Sequence, residues 1–350
     1  PSLTFLGLIA APDILKSDLD KITIEINQKL SQLQNLNYVD YSQSADRMVM
    51  DETLRSILDG LKTNTPDKDR RTAIQQICTK VESDLLLIGF VPKERLQRTV
   101  QFYLLSNWSS MADIRTVQVF DTVEWSRFMA ELDYEEPLFQ KRLGVYLVDT
   151  LITEGPVVAQ LLLTADGQAA AFNQGDQITA IDGRAVKNSA EVQRLMKDIQ
   201  KKDQVNVAIL RAGAPQDVSL KLLNSPMEIQ FNNPSLLFNR QLIAFKKAYS
   251  LSTNPLEKNI AVLNVGLCHM HFAEYDLAFE QLRQVQLDRQ VGIGPGTVQY
   301  RIAQCYRELG YKKESGESLQ EASRFAQNTI YSDDGPSLTR EIKRAQLALQ

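Results

Sequence analysis

The sequence predicts a multidomain α+β protein. Its 350 residues, at roughly 100–200 per domain, suit two or three domains. Strand and helix signals mix as far as Leu223, and from Pro234 onward strand signals give way to helical periodicity. The expected units are an N-terminal α/β sandwich over residues 1–135, a central β-barrel-like domain over 140–223, and an all-α region of helical hairpins over 234–350.

Composition narrows the function classes. Hydrophobic residues make up 43% and charged residues 23%, values ordinary for a soluble globular protein with more than one core. The net charge of −4, from 39 basic and 43 acidic residues, offers no basic excess to neutralise phosphates, which argues against nucleic-acid binding. No apolar run reaches the length of about 18 residues that a transmembrane helix needs. The chain starts at Pro1 rather than Met. That leads us to expect that a preceding segment was trimmed, with a signal peptide or lipid anchor among the candidates, or that the chain is a fragment or engineered.

Cys78, Cys268 and Cys305 are far apart and odd in number. They form no metal or disulfide spacing and read as small buried apolar residues. The only two histidines are His269 and His271. Two apart on a helix, they point to different faces and cannot readily chelate one metal. Neither a metal nor a cofactor is expected.

Taken in order, Leu3–Ala10 is a continuous apolar run that suits a buried strand. Pro12 and Asp13 open a helix with apolar residues at Leu15, Leu19, Ile22, Ile26, Leu30 and Leu33. A short strand at Tyr38–Tyr41 precedes helices at Met50–Leu61 and Arg71–Val81, separated by a polar loop. Asp84–Val91, Thr99–Leu105 and Ile114–Phe120 are rich in branched and aromatic residues and read as strands. Trp125–Leu132 is a final helix. This β-α-β-α-α-β-β-β-α order, with the stretch Ser83-Asp84-Leu85-Leu86-Leu87-Ile88-Gly89, resembles the N-terminal domain of the TolB translocation protein and related envelope domains. The resemblance implies an assembly or docking module rather than a catalyst.

The central region carries the clearest motif, G-D-x-I-x-x-I-D-G-x-x-V, at Gly175–Val186. Gly175 permits a sharp turn before a strand. Ile178 and Ile181 anchor that strand, and Asp182-Gly183 is a tight-turn pair. A β-rich run lies upstream at Gly155–Leu163. Downstream come a helix capped by Ser189 with Val192, Leu195, Met196 and Ile199 on one face, a strand at Val205–Arg211, a turn at Ala212–Pro215 and a closing strand at Val218–Leu222. Lys141-Arg142-Leu143-Gly144-Val145 stands well before them.

These features together resemble bacterial HtrA-type PDZ domains. The resemblance implies a loop at Gly144 whose backbone N–H groups hold a peptide carboxylate, and a following strand edge that accepts an extended peptide. The implied groove has Arg142, Leu143, Gly144, Val145 and Tyr146 on one side and Val192, Leu195 and Met196 on the other. The same apolar residues would face the core of any α/β module. Phe172 departs from the small-residue turn usual in that family.

Pro226–Asn233 reads as a linker. Beyond it, Asn259–Val285 and Gly296–Ala322 align with one another, Gly266 matching Ala303. Small residues at Gly266, Ala278, Ala303 and Ser315 let paired helices approach closely, and the pattern resembles tetratricopeptide (TPR) repeats. The Gly-rich Val291–Gly296 reads as the connection, Leu236–Tyr249 as a partial repeat and Leu338–Leu349 as a capping helix. The resemblance implies a concave partner-binding face at Leu263, Leu267, Met270, His271, Tyr300, Gln304, Arg307 and Glu308. Packing within the protein explains those positions equally well. Leu263 and Leu267 stand where a two-carboxylate clamp needs polar residues, which argues against that specificity.

No His-Asp-Ser set can be assembled, and G-x-S-x-G, H-E-x-x-H, Walker A and G-x-G-x-x-G patterns are absent from the sequence. The expectation is a non-catalytic scaffold or adaptor with protein partners, C-terminal peptides among them, in the periplasm or cell envelope of a bacterium. Larger assemblies, oligomeric ones among them, such as secretion, pilus and motility machines, would suit it. The alternative is a substrate-recognition or regulatory adaptor of a separate protease.

Overall fold

The computed structural model describes residues 1–10, 14, 16–92, 99–133, 139–161, 171–226, 237–253, 255–286, 294–328 and 336–349. The described residues fall into two compact units. One lies within Pro1–Glu136, Ile229–Thr253 and Asn264–Gln281, the other within Pro137–Glu228, Asn254–Leu263 and Leu282–Gln350.

The first unit is built on a five-stranded sheet in the order β2-β1-β3-β4-β5. The strands are β1 (Ser2–Ala10), β2 (Asn37–Asp40), β3 (Leu85–Val91), β4 (Thr99–Ser106) and β5 (Asp113–Gln118). β1 runs parallel to β2 and β3, and the β3-β4 and β4-β5 pairs are antiparallel. The apolar run in β1 has a specific cause: both faces of the sheet are covered. Leu3, Phe5, Leu85, Leu87, Phe102 and Leu104 pack with Ile26 and Leu30 of α1 (Lys16–Leu30) and with Trp125, Phe128 and Leu132 of α5 (Thr122–Leu132). On the opposite face Leu6, Ile9, Leu86, Ile88 and Leu105 pack with α3 (Asp51–Leu61) and α4 (Lys68–Lys80). A short α2 (Ala45–Val49) precedes α3.

In β1 the inward phase changes between Phe5 and Leu8, where the register with β3 shifts. Gly7 sits there at φ +85, a conformation that glycine adopts without a Cβ penalty. Gly89, in the middle of β3, is tightly enclosed by neighbouring side chains. A Cβ there would lie 2.4 Å from Leu8 Cδ2 and 2.8 Å from Val100 Cγ1.

This unit recruits helices from beyond residue 234. Helix α7 (Phe238–Leu251) packs on β3 and β4, and Leu237 and Ile243 join the α1/α5 core. Its N-terminus has no side-chain cap of its own. Asp113 supplies one from β5, its two carboxylate oxygens accepting from Phe238 N at 2.9 Å and Asn239 N at 2.7 Å. Buried Asn239 then donates to the carbonyls of Leu104 and Met111. Arg240, 1% exposed, donates to the Leu132 carbonyl. A second buried acid, Glu274, accepts from Ser110 N and Oγ and pairs with His269 Nδ1 at 2.9 Å. His269 is thus committed to a buried pair, and His271 stacks on Phe238 with ring centroids 3.5 Å apart.

In the second unit, the described residues between 139 and 226 form a small β module with one helix. Its strands are β6 (Phe139–Arg142), β7 (Val145–Val148), β8 (Val157–Leu161), β9 (Gln177–Ile181), β10 (Arg184–Ala185), β11 (Gln204–Arg211), β12 (Ala214–Lys221) and β13 (Leu223–Pro226). Helix α6 (Ser189–Asp198) lies between β10 and β11 in sequence. The main sheet runs β12-β11-β9-β8-β7, with β10 on β9 and β13 paired to β6. Asp182 and Gly183 both have positive φ, the type I′ geometry of a two-residue hairpin. Ala212 and Gly213 repeat it between β11 and β12. The Ala212–Pro215 turn is therefore shorter than its sequence suggests. Pro215 belongs to β12, opposite Leu210, and β12 is an edge strand where a missing N–H is tolerated.

The remaining described elements are helices: α8 (Pro255–His271), α9 (Tyr275–Leu282), α10 (Pro295–Glu308), α11 (Lys312–Asn328) and α12 (Pro336–Leu349). Pro295 and Gly296 start α10 rather than belonging to a linker; Val291–Ile293 lie outside the described residues. Pro226 ends β13, and the remainder of the expected Pro226–Asn233 linker is likewise outside them. The turn after α8 recurs after α10. Phe272, Ala273 and Glu274 donate to Cys268, Met270 and His269 carbonyls, and Leu309, Gly310 and Tyr311 donate to Cys305, Arg307 and Tyr306 carbonyls. Ala273 and Gly310 both adopt positive φ, +57 and +87. All three cysteines are buried and free, and burial pushes the Cys78 and Cys305 thiols up to about 12.

Candidate functional site

The β module owes its site to the position of β7. This strand ends the sheet, paired with β8 alone among the described residues. An edge strand presents unpaired backbone groups along its outer side and can template another strand. Directly before it, Gly144 is buried with φ +76, a turn that glycine permits and that brings successive N–H groups together.

Helix α6 faces this strand. Asn188 caps it, accepting from Glu191 N at 2.9 Å, so Ser189 is the first helical residue rather than the cap. Val192, Leu195 and Met196 are buried, and they share one apolar cluster with Leu143 and with the partly buried Val145 and Leu147. The structure thus brings the expected groove residues Leu143, Gly144, Val145, Val192, Leu195 and Met196 together. Leu143 and the helix residues are also part of the module's core. Tyr146 lies in β7, its side chain outside the described residues, and Arg142 ends β6 as an exposed residue.

Two polar pairs hold the two walls. At the loop end the Gln200 amide pairs with Lys141 as a neighbouring strand would. Its Oε1 accepts from Lys141 N at 2.6 Å and its Nε2 donates to Lys141 O at 3.1 Å. At the other end Asp149 accepts from Ser189 N and Oγ. No sequence pattern announces either pair.

In the turn before β9, Asp176 of the G-D motif is 1% exposed. Arg211 grips it with two bonds, Nε to Oδ1 at 2.9 Å and Nη2 to Oδ2 at 2.7 Å, and Asn173 N adds a third. The Arg211 bonds hold the Asp176 carboxyl below its ordinary range, against the pull of burial. Phe172, which departs from the usual turn, fills the core at 1% exposed. Gly155 is irreplaceable on space alone, since a Cβ there would meet the Ile178 carbonyl at 2.5 Å.

The residues assigned to a concave helical face are placed differently from one another. Leu263, Leu267 and Tyr300 are buried. Met270 is half-buried, and Gln304, also half-buried, accepts from Arg301. His271 lies against Phe238, where burial lowers its pKa. Arg307 and Glu308 are exposed and paired with each other at 2.6 Å. Among the described residues no cluster of His, Cys, Asp and Glu could hold a metal, and no helix is long and apolar enough to cross a membrane.

An edge strand after a glycine loop, a facing helix and a Gly-Asp turn with its aspartate buried define a PDZ-type module. The PDZ domain family model accordingly matches residues 141–222. Among solved structures, the HtrA-type protease AlgW with a decapeptide aligns at 16% identity and a TM-score of 0.24, covering 37% of this chain and 50% of that one. A serine-to-alanine variant of the same protease with a decapeptide aligns at the same identity and score, covering 43% and 61%. This chain thus spans less than two thirds of either protease chain. No curated protein matches it.

Proposed function

We propose that this chain is a non-catalytic adaptor that recruits protein partners by their C-terminal tails. The observation that carries this reading is the outer edge of β7, unpaired among the described residues, beside the Gly144 turn and with α6 opposite. A tail would add to β7 as a further strand, its carboxylate held by the N–H groups around Gly144 and its last side chain resting among Leu143, Val145, Leu195 and Met196.

The helical region is read as TPR-like support or docking surface. The aligned small residues Gly266, Ala278, Ala303 and Ser315 are all buried, which supports an internal repeat. The N-terminal sandwich is read as the TolB-like docking domain of a bacterial envelope assembly, on the strength of its element order. Export of the full-length protein tests that location, and a protein retained in the cytoplasm contradicts it. Co-purification separates a structural assembly from the alternative, a separate protease with its substrates.

The direct test is binding of the full chain to a library of peptides with free C-termini, beside Gly144→Trp. A tryptophan at φ +76 is strained and blocks the turn. Selective binding lost in the variant is the expected result. Binding that survives the substitution, or no binding by the wild type, contradicts the reading.

A further inference from the structure

The groove is bridged at the end away from Gly144. Asp149 follows β7 directly, and its carboxylate accepts from Ser189 N and Ser189 Oγ, each at 2.7 Å. The bond to Ser189 N brings two backbones close together. An aspartate side chain reaches about 3.6 Å from its Cα, and the bond adds 2.7 Å. The walls therefore stand roughly 6 Å apart at this point. A strand added to β7 needs about 4.8 Å on the β7 side alone, and it needs comparable room toward the helix. An extended chain cannot pass between Asp149 and Ser189 while these bonds are made.

The space between Gly144 and this bridge is the length of β7, Val145–Val148. Four strand residues span about 13 Å. We propose that Asp149 and Ser189 form a latch that restricts the groove to about the last four residues of a tail, and that must open before a longer tail can lie along it. The inference rests on the peptide-binding reading above.

Two features suit a latch that opens. The pair lies at the surface, where water competes for both partners and the net strength is small. The closed form is favoured by placing a carboxylate at the N-terminus of α6. Just past the latch, Leu151 and Ile152 are fully exposed, held in a loop that a Thr150–Thr153 hydroxyl contact at 2.6 Å closes. Residues of a longer tail would emerge against these two side chains, so apolar upstream residues are the ones that opening would reward.

The test uses the full chain and two fluorescein-labelled pools with apolar free C-termini, one of tetrapeptides and one of decapeptides with apolar upstream residues. Fluorescence anisotropy is compared for wild type, Asp149→Ala and Asp149→Asn. Asp149→Ala is expected to bind the decapeptides roughly tenfold more tightly and the tetrapeptides unchanged. Asp149→Asn falls between, because its amide oxygen still accepts from Ser189 N. Unchanged or weaker decapeptide binding by Asp149→Ala overturns the latch, and so does an equal gain for both pools. Absence of binding by every variant overturns the groove itself, and the latch with it.

Discussion

Two buried aspartates organise this molecule by different means. Asp176 in the PDZ-type module is gripped by a guanidinium, and Asp113 in the N-terminal unit is held by the first N–H groups of a helix. Arg211 keeps the Asp176 carboxyl below its usual range. Burial pushes Asp113 up to about 6 despite its two backbone bonds. A full opposite charge with matched geometry offsets desolvation, whereas two peptide N–H groups and a helix dipole offset only part of it. The first arrangement fixes a turn inside one module. The second ties β5 to a helix 125 residues further along the chain.

Removing the cation should have the largest effect. Arg211→Met leaves the buried Asp176 carboxylate without its partner, and a clear downward shift of the melting temperature is expected, damped by the solvent that reaches Arg211. Calorimetry of the full chain should show the module's transition displaced downward. A shift no larger than for an exposed arginine would make the pair ornamental.

Asp113→Ala should cost about 2 kcal/mol, since it strips acceptors from two buried N–H groups. The loss should appear in the N-terminal unit as faster amide exchange in α7. Asp113→Asn keeps one acceptor and sheds the buried charge, so its cost should be smaller. An alanine variant as stable as wild type would mean that water replaces the cap.

Acid sharpens the contrast. The folded state holds the Asp113 proton more tightly than the unfolded chain does. Its contribution to stability therefore increases as pH falls through about 6 toward the ordinary value of 3.8. The Asp176 contribution has the opposite sign and is lost as pH drops below the ordinary range. Between pH 7 and 5 the wild type should gain about 1 kcal/mol relative to Asp113→Asn. Denaturant melts at the two pH values measure this, and parallel behaviour of the two proteins would contradict the assignment.

The same contrast marks what could be read in the sequence. The PDZ-type module was legible because its determinants are local. Gly175, Asp176, Asp182 and Gly183 each force a turn or a contact within a few residues, and all fall in one short motif. The N-terminal sandwich was legible by element because its strands and helices keep their periods. The phase change at Gly7 was hidden, since a sheet covered on both faces gives an unbroken apolar run.

Long-range placement was not legible. Helix α7 reads as the start of a helical domain, yet its N-terminal N–H groups bond Asp113 and its side chains join the α1/α5 core. Leu263 and Tyr300 fall on a repeat's presumed concave face by spacing alone, and the structure buries both. At the groove, apolar wall residues could be named from periodicity. Asp149 and Gln200 could not, because a polar residue that bridges two elements has no period.

Reception of a peptide carboxylate by the Gly144 turn is the basis of the proposed function. It is tested most directly by titrating the full chain with one peptide in two forms, a free C-terminal carboxylate and the C-terminal amide. The acid should bind and the amide should bind at least tenfold more weakly, because N–H groups arranged for an anion gain little from a neutral end. Equal affinity for the two forms would contradict it and would leave β7 without a carboxylate site.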